Sequence, residues 1–352
     1  MYSNTTSDEF YMQRCLQLAQ LGAGNVSPNP MVGSVLVHNQ HIIGEGYHEQ
    51  YGKHHAEVNC INSVSDINKH LISQSTMYVS LEPCAHFGKT PPCADLIIKH
   101  KIPKVVVGCR DPFKEVNGKG LEKLINEGIE VTVGILQKEC KHINKRFFTF
   151  HTMQRPYIIL KWAETANHFI GSNTNERLLI SGASTNRLVH KWRREEESIL
   201  VGTNTASLDN PSLNNRYWNE KQPIRMVIDN QLKLSINLKL FNKRQETIVF
   251  NQILNKEEEN LKYYQLDRNE ELLPQLMRAC YELNIQSILV EGGRKTLQLF
   301  IDSNLWDEAR VITNTNLTIA DGISSPTLIN AKIVDSTLLG EDRIIKYEKI
   351  NI

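Results

Sequence analysis

The chain has 352 residues, of which 40% are hydrophobic and 22% are charged. At about 150 residues per domain this length predicts two domains, and the composition is that of a globular protein rather than a disordered or fibrous one. Forty Lys and Arg residues balance 39 Asp and Glu residues, for a formal net charge of +1, so the sequence lacks the basic surplus typical of proteins that bind nucleic acid.

Membrane and export signals are also missing from the sequence. Apolar runs such as 105–107 are strand-sized, far below the roughly 18 residues of a membrane-spanning helix. Residues 1–10 carry Asp8 and Glu9, where an export signal would need positive charge before an apolar stretch. Seven cysteines spread over the chain favour free thiols and a metal site over a disulfide framework. We therefore expect a cytoplasmic protein whose partners include neither nucleic acid nor membrane; a homo-oligomer stays open.

The first half of the chain has the pattern of an α/β domain. Residues 6–9 form a capping box that predicts a helix ending at Gly22, and a Pro-Asn-Pro turn follows at 28–30. Predicted strands cover 31–37, 41–46, 76–80, 104–107 and 130–133, and predicted helices cover 54–63, the residues after Cys93, and 120–128. Strands that alternate with helices in this way indicate an α/β sheet.

The second half repeats this alternation after a connecting segment. The polar stretch 137–153 contains neither Gly nor Pro, and it predicts one helix that ends before Pro156. We therefore predict two domains, 1–150 and 151–352. Apolar runs in the second domain predict strands at 157–163, 199–202, 225–228, 247–250 and 287–290, with a helix at 270–283.

The strongest chemical signal is a His-Ala-Glu tripeptide, His55 to Glu57, followed by Cys84 after a proline and by Cys93. One imidazole and two thiolates suit zinc and leave the fourth tetrahedral position open for water, as in catalytic sites. Zinc lowers the pKa of its bound water, and the carboxylate of Glu57 can pass the released proton to a leaving amine. The joint pattern therefore predicts hydrolytic deamination.

Plainer interpretations exist for the same residues. Taken singly, the histidine could be solvated and the cysteines could fill a core. A closed structural zinc site, with His54 or His86 as fourth ligand, is a further alternative. It would leave Glu57 without a role, so the catalytic interpretation is favoured.

The motif resembles that of the zinc-dependent nucleoside and base deaminases, His-x-Glu followed by Pro-Cys-x-x-Cys. Here eight residues, not two, separate Cys84 from Cys93. This longer loop, together with Pro-Asn-Pro-Met-Val-Gly at 28–33, resembles the bifunctional deaminase/reductase family of riboflavin biosynthesis. The resemblance covers nearly the whole chain.

For the first domain the resemblance implies a cytidine-deaminase-like three-layer α/β fold. It also implies zinc-dependent removal of the 2-amino group of 2,5-diamino-6-ribosylamino-4(3H)-pyrimidinone 5′-phosphate, a small phosphorylated pyrimidine. The implied zinc ligands are His55, Cys84 and Cys93, and the implied proton shuttle is Glu57. The implied substrate contacts are Asn29, His48, His86, Lys89 and Asp111. Phe113 stands where the family usually has Asn, which alters one of these contacts.

The second domain has no Gly-x-Gly-x-x-Gly after a strand, so the usual dinucleotide fingerprint is missing. A Gly-Gly turn at 292–293 lies between a predicted strand and a helix. Backbone N–H groups at such a helix start can hold phosphate, although a tight turn alone also needs glycine.

The second domain resembles the reductase domain of the same family, which implies a dihydrofolate-reductase-like α/β fold and NADPH. The implied reaction reduces the ribosyl group of 5-amino-6-(5-phosphoribosylamino)uracil to ribityl. Lys161 and Glu291 would line the hydride-transfer site. The implied substrate residues are Arg193, Leu213 and Arg216, and the implied dinucleotide residues are Thr205, Asp209, Asn230 and Gly293.

The sequence departs from the family pattern after Lys161. Asn167 and His168 replace a turn Asp and Gly, and Arg177 and Leu179 replace a Ser and a Trp. These departures leave open a deaminase whose second domain has lost reduction. Two further alternatives are a nucleic-acid adenosine deaminase, disfavoured by the near-zero net charge and the long loop, and a zinc-stabilised binding protein without turnover.

Overall fold

The computed structural model describes residues 7–87, 91–114, 116–173, 178–218 and 222–350. The chain divides into two compact units, Met1–Gln154 and Arg155–Ile352. In the described ranges every helix is too short or too polar to cross a lipid bilayer.

The first unit contains one five-stranded sheet. Its strands are β1 (Gly33–His38), β2 (His41–Tyr47), β3 (Thr76–Leu81), β4 (Lys104–Cys109) and β5 (Glu130–Val133). Their order is β2-β1-β3-β4-β5, with antiparallel pairs on either side of β1 and parallel pairs between β3, β4 and β5. All five strands were predicted, with bounds that differ by no more than two residues.

Helices cover both faces of this sheet. They are α1 (Ser7–Gln20), α2 (Ala56–Asn62), α3 (Cys93–Lys99), α4 (Lys119–Asn126), α5 (Gln137–Ile143) and α6 (Lys145–Met153), with a 3-10 helix at Asp66–Gln74. One hydrophobic cluster packs α2, α3 and α4 on one face, and a second cluster packs α1 and α5 on the other. The predicted three-layer α/β architecture is therefore confirmed.

The predicted continuous helix over 137–153 is wrong at one residue. Two helices, α5 and α6, meet at Asn144, whose φ and ψ of −104° and 20° interrupt the helix. The buried Asn144 amide accepts a hydrogen bond from Met31 N–H and donates one to Met31 O, both at 2.8 Å. This contact with a residue over a hundred positions away breaks a stretch that the local pattern favours as one helix.

The second unit is built on a ten-stranded sheet. Its elements include β6 (Tyr157–Glu164), β7 (Phe169–Gly171), β8 (Ser198–Gly202), β9 (Ile224–Ile228), β10 (Thr247–Asn251), β11 (Lys256–Glu258), β12 (Leu261–Gln265), β13 (Ser287–Gly292), β14 (Glu308–Asn314), β15 (Ile323–Ser324), β16 (Ala331–Leu339) and β17 (Asp342–Lys349). The order is β11-β12-β10-β9-β8-β13-β6-β14-β17-β16, and β7 pairs with β15 separately. The seven neighbouring strands β12-β10-β9-β8-β13-β6-β14 pair in parallel. Antiparallel pairs add β11 at one edge of the sheet and β17 and β16 at the other.

The five strands predicted for this unit are all present. Seven further strands, β7, β11, β12, β14, β15, β16 and β17, were not among the predicted elements. The helices are α7 (Ala183–Glu195), α8 (Thr203–Asp209), α9 (Leu272–Glu282) and α10 (Arg294–Asp302), with a 3-10 helix at Lys239–Phe241. One hydrophobic cluster packs α9 and α10 on one face of the sheet, and another packs α7 and α8 on the opposite face.

Alternation along β6 decides which side chains face which layer. Trp162 belongs to the cluster under α9 and α10, and Ile159 belongs to the cluster under α7. Successive residues of a strand point to opposite faces, so Lys161 shares the α7 face with Ile159. This placement brings the Lys161 ammonium to the helix that carries Arg193.

Candidate active sites

In the first unit, three potential metal ligands converge from separate segments. His55 immediately precedes α2, Cys84 follows β3, and Cys93 is the first residue of α3. His55 Nδ1 lies 3.6 Å from Cys84 Sγ and 3.4 Å from Cys93 Sγ, and the three ligand atoms all lie within 4.8 Å of one another.

This donor set fits zinc. Typical Zn–N and Zn–S distances at a tetrahedral angle place a nitrogen and a sulfur about 3.6 Å apart, close to both separations here. The backbone N–H of Cys93 points at Cys84 Sγ at 3.3 Å. A side-chain hydrogen bond from Cys93 lowers the pKa of the Cys84 thiol to about 4 against the opposing effect of burial, and His55 adds to the lowering. Cys84 is therefore prepared to be a thiolate, the form that binds metal.

Glu57 lies two residues after His55, in the first turn of α2. It is only 3% exposed. Burial raises its pKa, and the charge of His55 partly opposes this effect. Glu57 therefore binds a proton more tightly than an exposed glutamate does.

Asn29 and His48, which the resemblance implies as substrate contacts, are hydrogen-bonded to each other next to His55. His48 Nδ1 lies 2.9 Å from the carbonyl oxygen of His54, which can only accept, so this nitrogen carries the hydrogen. Its Nε2 then accepts a hydrogen bond from Asn29 Nδ2 at 3.1 Å. Burial lowers the pKa of His48, which keeps the ring neutral. The His48 and His55 rings meet edge to face at 5.4 Å.

Asp111 lies in the loop after β4. Burial raises its pKa to about 7, although the N–H of Phe113 donates to its Oδ1 at 2.8 Å. Glu82 holds this loop in place through its carboxylate, which accepts hydrogen bonds from the backbone N–H groups of Asp111, Gly118 and Gly120 at 3.1–3.2 Å.

Glu82 was not predicted as a site residue. It is 4% exposed, and its position directly before the Pro-Cys dipeptide, at the end of an apolar strand, was the available signal. Gly120 completes the contact, because a Cβ on it would lie only 1.9 Å from the oxygen of Pro83. Any larger residue would push the loop away from the strand end.

The remaining predicted substrate residues of this unit are His86 and Lys89. Within the described residues, His86 Nδ1 is a buried atom without a hydrogen-bond partner, and its ring lies 6.0 Å from that of Phe113. The Phe113 ring lies in turn 5.0 Å from that of His151. Lys89 lies outside the described residues.

In the second unit, three charged side chains meet at the ends of two neighbouring parallel strands. Lys161 on β6 and Glu291 on β13 lie 3.9 Å apart, Nζ to Oε2. Arg193 on α7 binds Glu291 with two parallel hydrogen bonds of 2.7 Å. Burial alone would raise the pKa of Glu291, but Arg193 and Lys161 reverse its effect and hold the value at about 2. Glu291 is therefore a fixed negative charge.

Leu213 and Arg216 lie on the loop that follows α8. Leu213 is 2% exposed and has a φ of 43°, a strained value for a leucine. Arg216 contacts His190, whose pKa falls to about 4 through burial and the charges of Arg193 and Arg216. His190 was not predicted. Its position one helical turn before Arg193 was the signal that could have identified it.

Three of the predicted dinucleotide residues, Thr205, Asn230 and Gly293, follow the C-terminal ends of β8, β9 and β13, which are adjacent in the sheet. Thr205, in the first turn of α8, packs against the Gly-Gly turn: a Cβ on Gly293 would lie 2.9 Å from Thr205 Oγ1. Asn230 follows β9, and its Oδ1 is buried with no partner among the described residues. Asp209 ends α8. Ligands of parallel α/β sheets bind at this strand end.

The turn that lacks the family glycine is nevertheless formed. His168 has a φ of 62°, and its Nδ1 lies 2.8 Å from Oε1 of the buried Glu164. Asn167 accepts a hydrogen bond from Thr165 Oγ1 and donates one to the oxygen of Ile319. Leu179 is 73% exposed, and Arg177 lies outside the described residues.

Two family models match the chain. One describes the cytidine and deoxycytidylate deaminase zinc-binding region and matches residues 5–109; the other describes the RibD C-terminal domain and matches residues 156–318. The riboflavin biosynthesis protein RibD of Aquifex aeolicus is 38% identical over 97% of this chain and 98% of its own length. The protein of the same name from Actinobacillus pleuropneumoniae is 34% identical over 99% of this chain and 96% of its own.

A solved structure agrees with these relatives. The crystal structure of a diaminohydroxyphosphoribosylaminopyrimidine deaminase/5-amino-6-(5-phosphoribosylamino)uracil reductase from Thermotoga maritima has a TM-score of 0.86 and 33% identity to this chain. The similarity covers 97% of this chain and 99% of that one. Both units are therefore matched together, in one polypeptide.

Proposed function

The chain belongs to the RibD family of riboflavin biosynthesis, and from this premise we propose the substrates and residues of its two activities. It is a bifunctional enzyme with a deaminase domain and a reductase domain. We assign residues 1–150 to hydrolysis of the 2-amino group of 2,5-diamino-6-ribosylamino-4(3H)-pyrimidinone 5′-phosphate. We assign residues 151–352 to reduction of 5-amino-6-(5-phosphoribosylamino)uracil. One observation carries this proposal. A single chain, matched over 97% of its length, contains both the ligand set of His55, Cys84 and Cys93 and the charged cluster around Glu291.

In the deaminase domain His55, Cys84 and Cys93 would hold one zinc ion. Bound zinc supplies a water molecule of lowered pKa as the nucleophile. Glu57 accepts a proton from the attacking water and gives it to the exocyclic nitrogen of the substrate. The C–N bond then breaks and ammonia leaves. Asn29 and His48 orient the substrate, together with His86, Lys89 and Asp111.

In the reductase domain Thr205, Asp209, Asn230 and Gly293 would hold NADPH. NADPH supplies the hydride that C1′ of the opened ribosyl group accepts. Lys161 gives the accompanying proton. Glu291 stays ionised, since its pKa is about 2, and it holds Lys161 and Arg193 in position instead of donating a proton itself.

Charge supports a phosphorylated substrate in this domain. Lys161 and Arg193 contact the carboxylate of Glu291, and Arg216 contacts the neutral His190, so these side chains together carry a net charge of +2. A phosphate ester carries nearly two negative charges at neutral pH. We propose the small phosphorylated pyrimidine as the partner of both domains, with the cytoplasm as the location.

The alternative in which the second domain has lost reduction is not favoured. The departures at Asn167 and His168 keep a formed turn, because side-chain hydrogen bonds replace the conformational freedom of the missing glycine. The charged cluster around Glu291 is also complete.

One incubation tests both activities. Zinc-loaded protein receives the diamino substrate with and without NADPH, and ammonia, NADPH oxidation and product mass are followed together. We expect ammonia in both samples. In the sample with NADPH we also expect NADPH oxidation and a product whose mass is higher by two hydrogens. Ammonia without NADPH oxidation would overturn the reductase assignment, and the absence of ammonia would overturn the deaminase assignment.

A further inference from the structure

We propose that His190 is a positioning residue of the reductase site, which holds Arg216 where it can bind the phosphate of the substrate. This inference rests on the proposed function and adds a residue that the sequence pattern did not indicate. His190 lies on α7 and is 1% exposed. It is three residues before Arg193, so both side chains leave the same face of the helix.

Both ring nitrogens of His190 contact the same residue. Nδ1 accepts a hydrogen bond from the backbone N–H of Arg216 at 3.1 Å, and Nε2 lies 3.3 Å from Arg216 Nη2. The ring also meets Tyr217 edge to face at 4.8 Å. A single buried imidazole therefore fixes the backbone of Arg216 by a hydrogen bond and lies against its guanidinium group.

The hydrogen of the ring follows from these contacts. The N–H of Arg216 needs a lone pair on Nδ1, so the neutral ring carries its hydrogen on Nε2. The groups that face the ring are Arg193, Arg216, Glu291 and the carbonyl of Asn214, and burial together with the two arginines keeps the ring neutral at neutral pH. The Asn214 carbonyl already accepts a hydrogen bond from Arg193 Nη1 at 3.2 Å.

Nε2–H and the guanidinium of Arg216 are both donors, so they cannot satisfy each other. Among the described residues Arg216 forms no ion pair, whereas Arg193 is fully engaged with Glu291. An acceptor with several oxygens satisfies this arrangement, and a phosphate monoester provides it with the matching charge. Arg216 is thus the cation left for the phosphate, and His190 sets its place.

Two variants separate the nitrogens of His190 from its packing. His190→Phe keeps a ring against Tyr217 and removes both nitrogens. His190→Asn keeps an acceptor near the position of Nδ1 and removes the Nε2 contact. The exposed His142 of the first unit provides the control, as His142→Phe. KM and kcat for NADPH oxidation are measured with the phosphorylated and with the dephosphorylated substrate. Each His190 variant is tested as a single variant and in combination with Arg216→Met.

We expect His190→Phe to raise KM for the phosphorylated substrate about tenfold, or about 1.4 kcal/mol, and to leave kcat within about twofold. His190→Asn should have a smaller effect and keeps the test valid if the Phe variant does not fold. Neither variant should change KM for the dephosphorylated substrate. In the Arg216→Met background neither should raise KM for the phosphorylated substrate further, because the effects of coupled residues are not additive. Equal effects on both substrates, or full effects without Arg216, would overturn the proposal.

A binding measurement distinguishes failure of this inference from failure of the proposed function. The imidazole nitrogen resonances of His190, assigned by their loss in His190→Asn, are followed by NMR while ribose 5-phosphate or ribose is added. We expect a shift with ribose 5-phosphate alone, and none in Arg216→Met. This result would support the role of His190 even in a protein without NADPH oxidation. The absence of a shift, or the same shift with ribose, would overturn it.

Discussion

Each unit buries one glutamate at the centre of its candidate site, and the surroundings act on the two carboxylates in opposite directions. Glu57 has one histidine and two thiols nearby, and burial raises its pKa. The side chain of Glu291 is 6% exposed, and Arg193 and Lys161 hold its pKa at about 2. The same side chain is therefore prepared to carry a proton in the first unit and is fixed as an anion in the second.

The difference shows that burial alone does not assign a role. A buried carboxyl group with no cation in hydrogen-bond contact can carry a proton. A buried carboxylate that is bound by a bidentate arginine stays ionised and holds the neighbouring cations in position. Substitutions should therefore have different signatures: loss of turnover alone at Glu57, and loss of stability as well at Glu291.

Replacement of Glu57 gives the largest expected effect. Glu57→Gln keeps the size of the side chain and removes its ability to accept a proton, so ammonia release should fall about 10³-fold. Zinc content, measured by elemental analysis, should stay at one ion per chain. NADPH oxidation with substrate that has already been deaminated provides the control and should not change. Retained ammonia release would contradict the role of Glu57.

Replacement of Lys161 breaks the second site without touching the first. Lys161→Ala removes the proton donor, and NADPH oxidation should fall about 10²-fold, while ammonia release stays at the wild-type rate. Lys161→Arg preserves the charge next to Glu291, but an arginine binds its proton too tightly to give it up. This variant should therefore keep the stability of the wild-type protein without restoring NADPH oxidation. A joint loss of both activities would argue against separate sites.

The same contrast explains how much the sequence predicted. The deaminase ligands stand in two short segments, so a spacing pattern indicated them before any fold was known, and the structure brings His55, Cys84 and Cys93 within ligand distance of one another. The reductase cluster gathers Lys161, Arg193 and Glu291 from positions up to 130 residues apart. No local pattern connects these positions, and only the family resemblance did.

Two further contacts were not predicted from the sequence, for a physical reason. Asn144 breaks a helix because its amide pairs with the backbone of Met31, and His190 matters because its ring meets Arg216. In both cases the residue type suits its local helix reasonably well, and tertiary hydrogen bonds decide its role. Most parallel strands were easier, since continuous apolar runs identify buried strands directly, although the parallel strands β12 and β14 were missed.

Breaking the ion pair of Glu291 should cost stability. Glu291→Gln leaves Arg193 and Lys161 without their anion, and Arg193→Met leaves Glu291 with only the more distant Lys161. Each should lower the free energy of unfolding of the second unit by about 3 kcal/mol. All four tryptophans belong to this unit, so urea unfolding followed by tryptophan fluorescence measures it. Glu57→Gln is the matched control and should leave this transition unchanged.

Asp111 extends the comparison to a third buried carboxyl group, one for which no cationic partner is found in the part of the chain that the structure describes. Its pKa is about 7 in the folded protein, against an ordinary value of 3.8. Between about pH 4 and pH 7 the folded state therefore keeps a proton that the unfolded state releases, so the stability of the first unit should fall as pH rises through this window and level off above it. The expected loss is on the order of 4 kcal/mol.

Hydrogen exchange of the buried β4 amides in zinc-loaded protein measures this loss, after correction for the intrinsic pH dependence of exchange. Asp111→Asn should flatten the decline, because the asparagine does not titrate. Asp66→Asn, at an exposed carboxylate of the same unit, should keep the wild-type slope. An unchanged slope in Asp111→Asn would show that burial does not hold this proton. The division between proton-carrying and anchoring carboxylates would then rest on Glu57 and Glu291 alone.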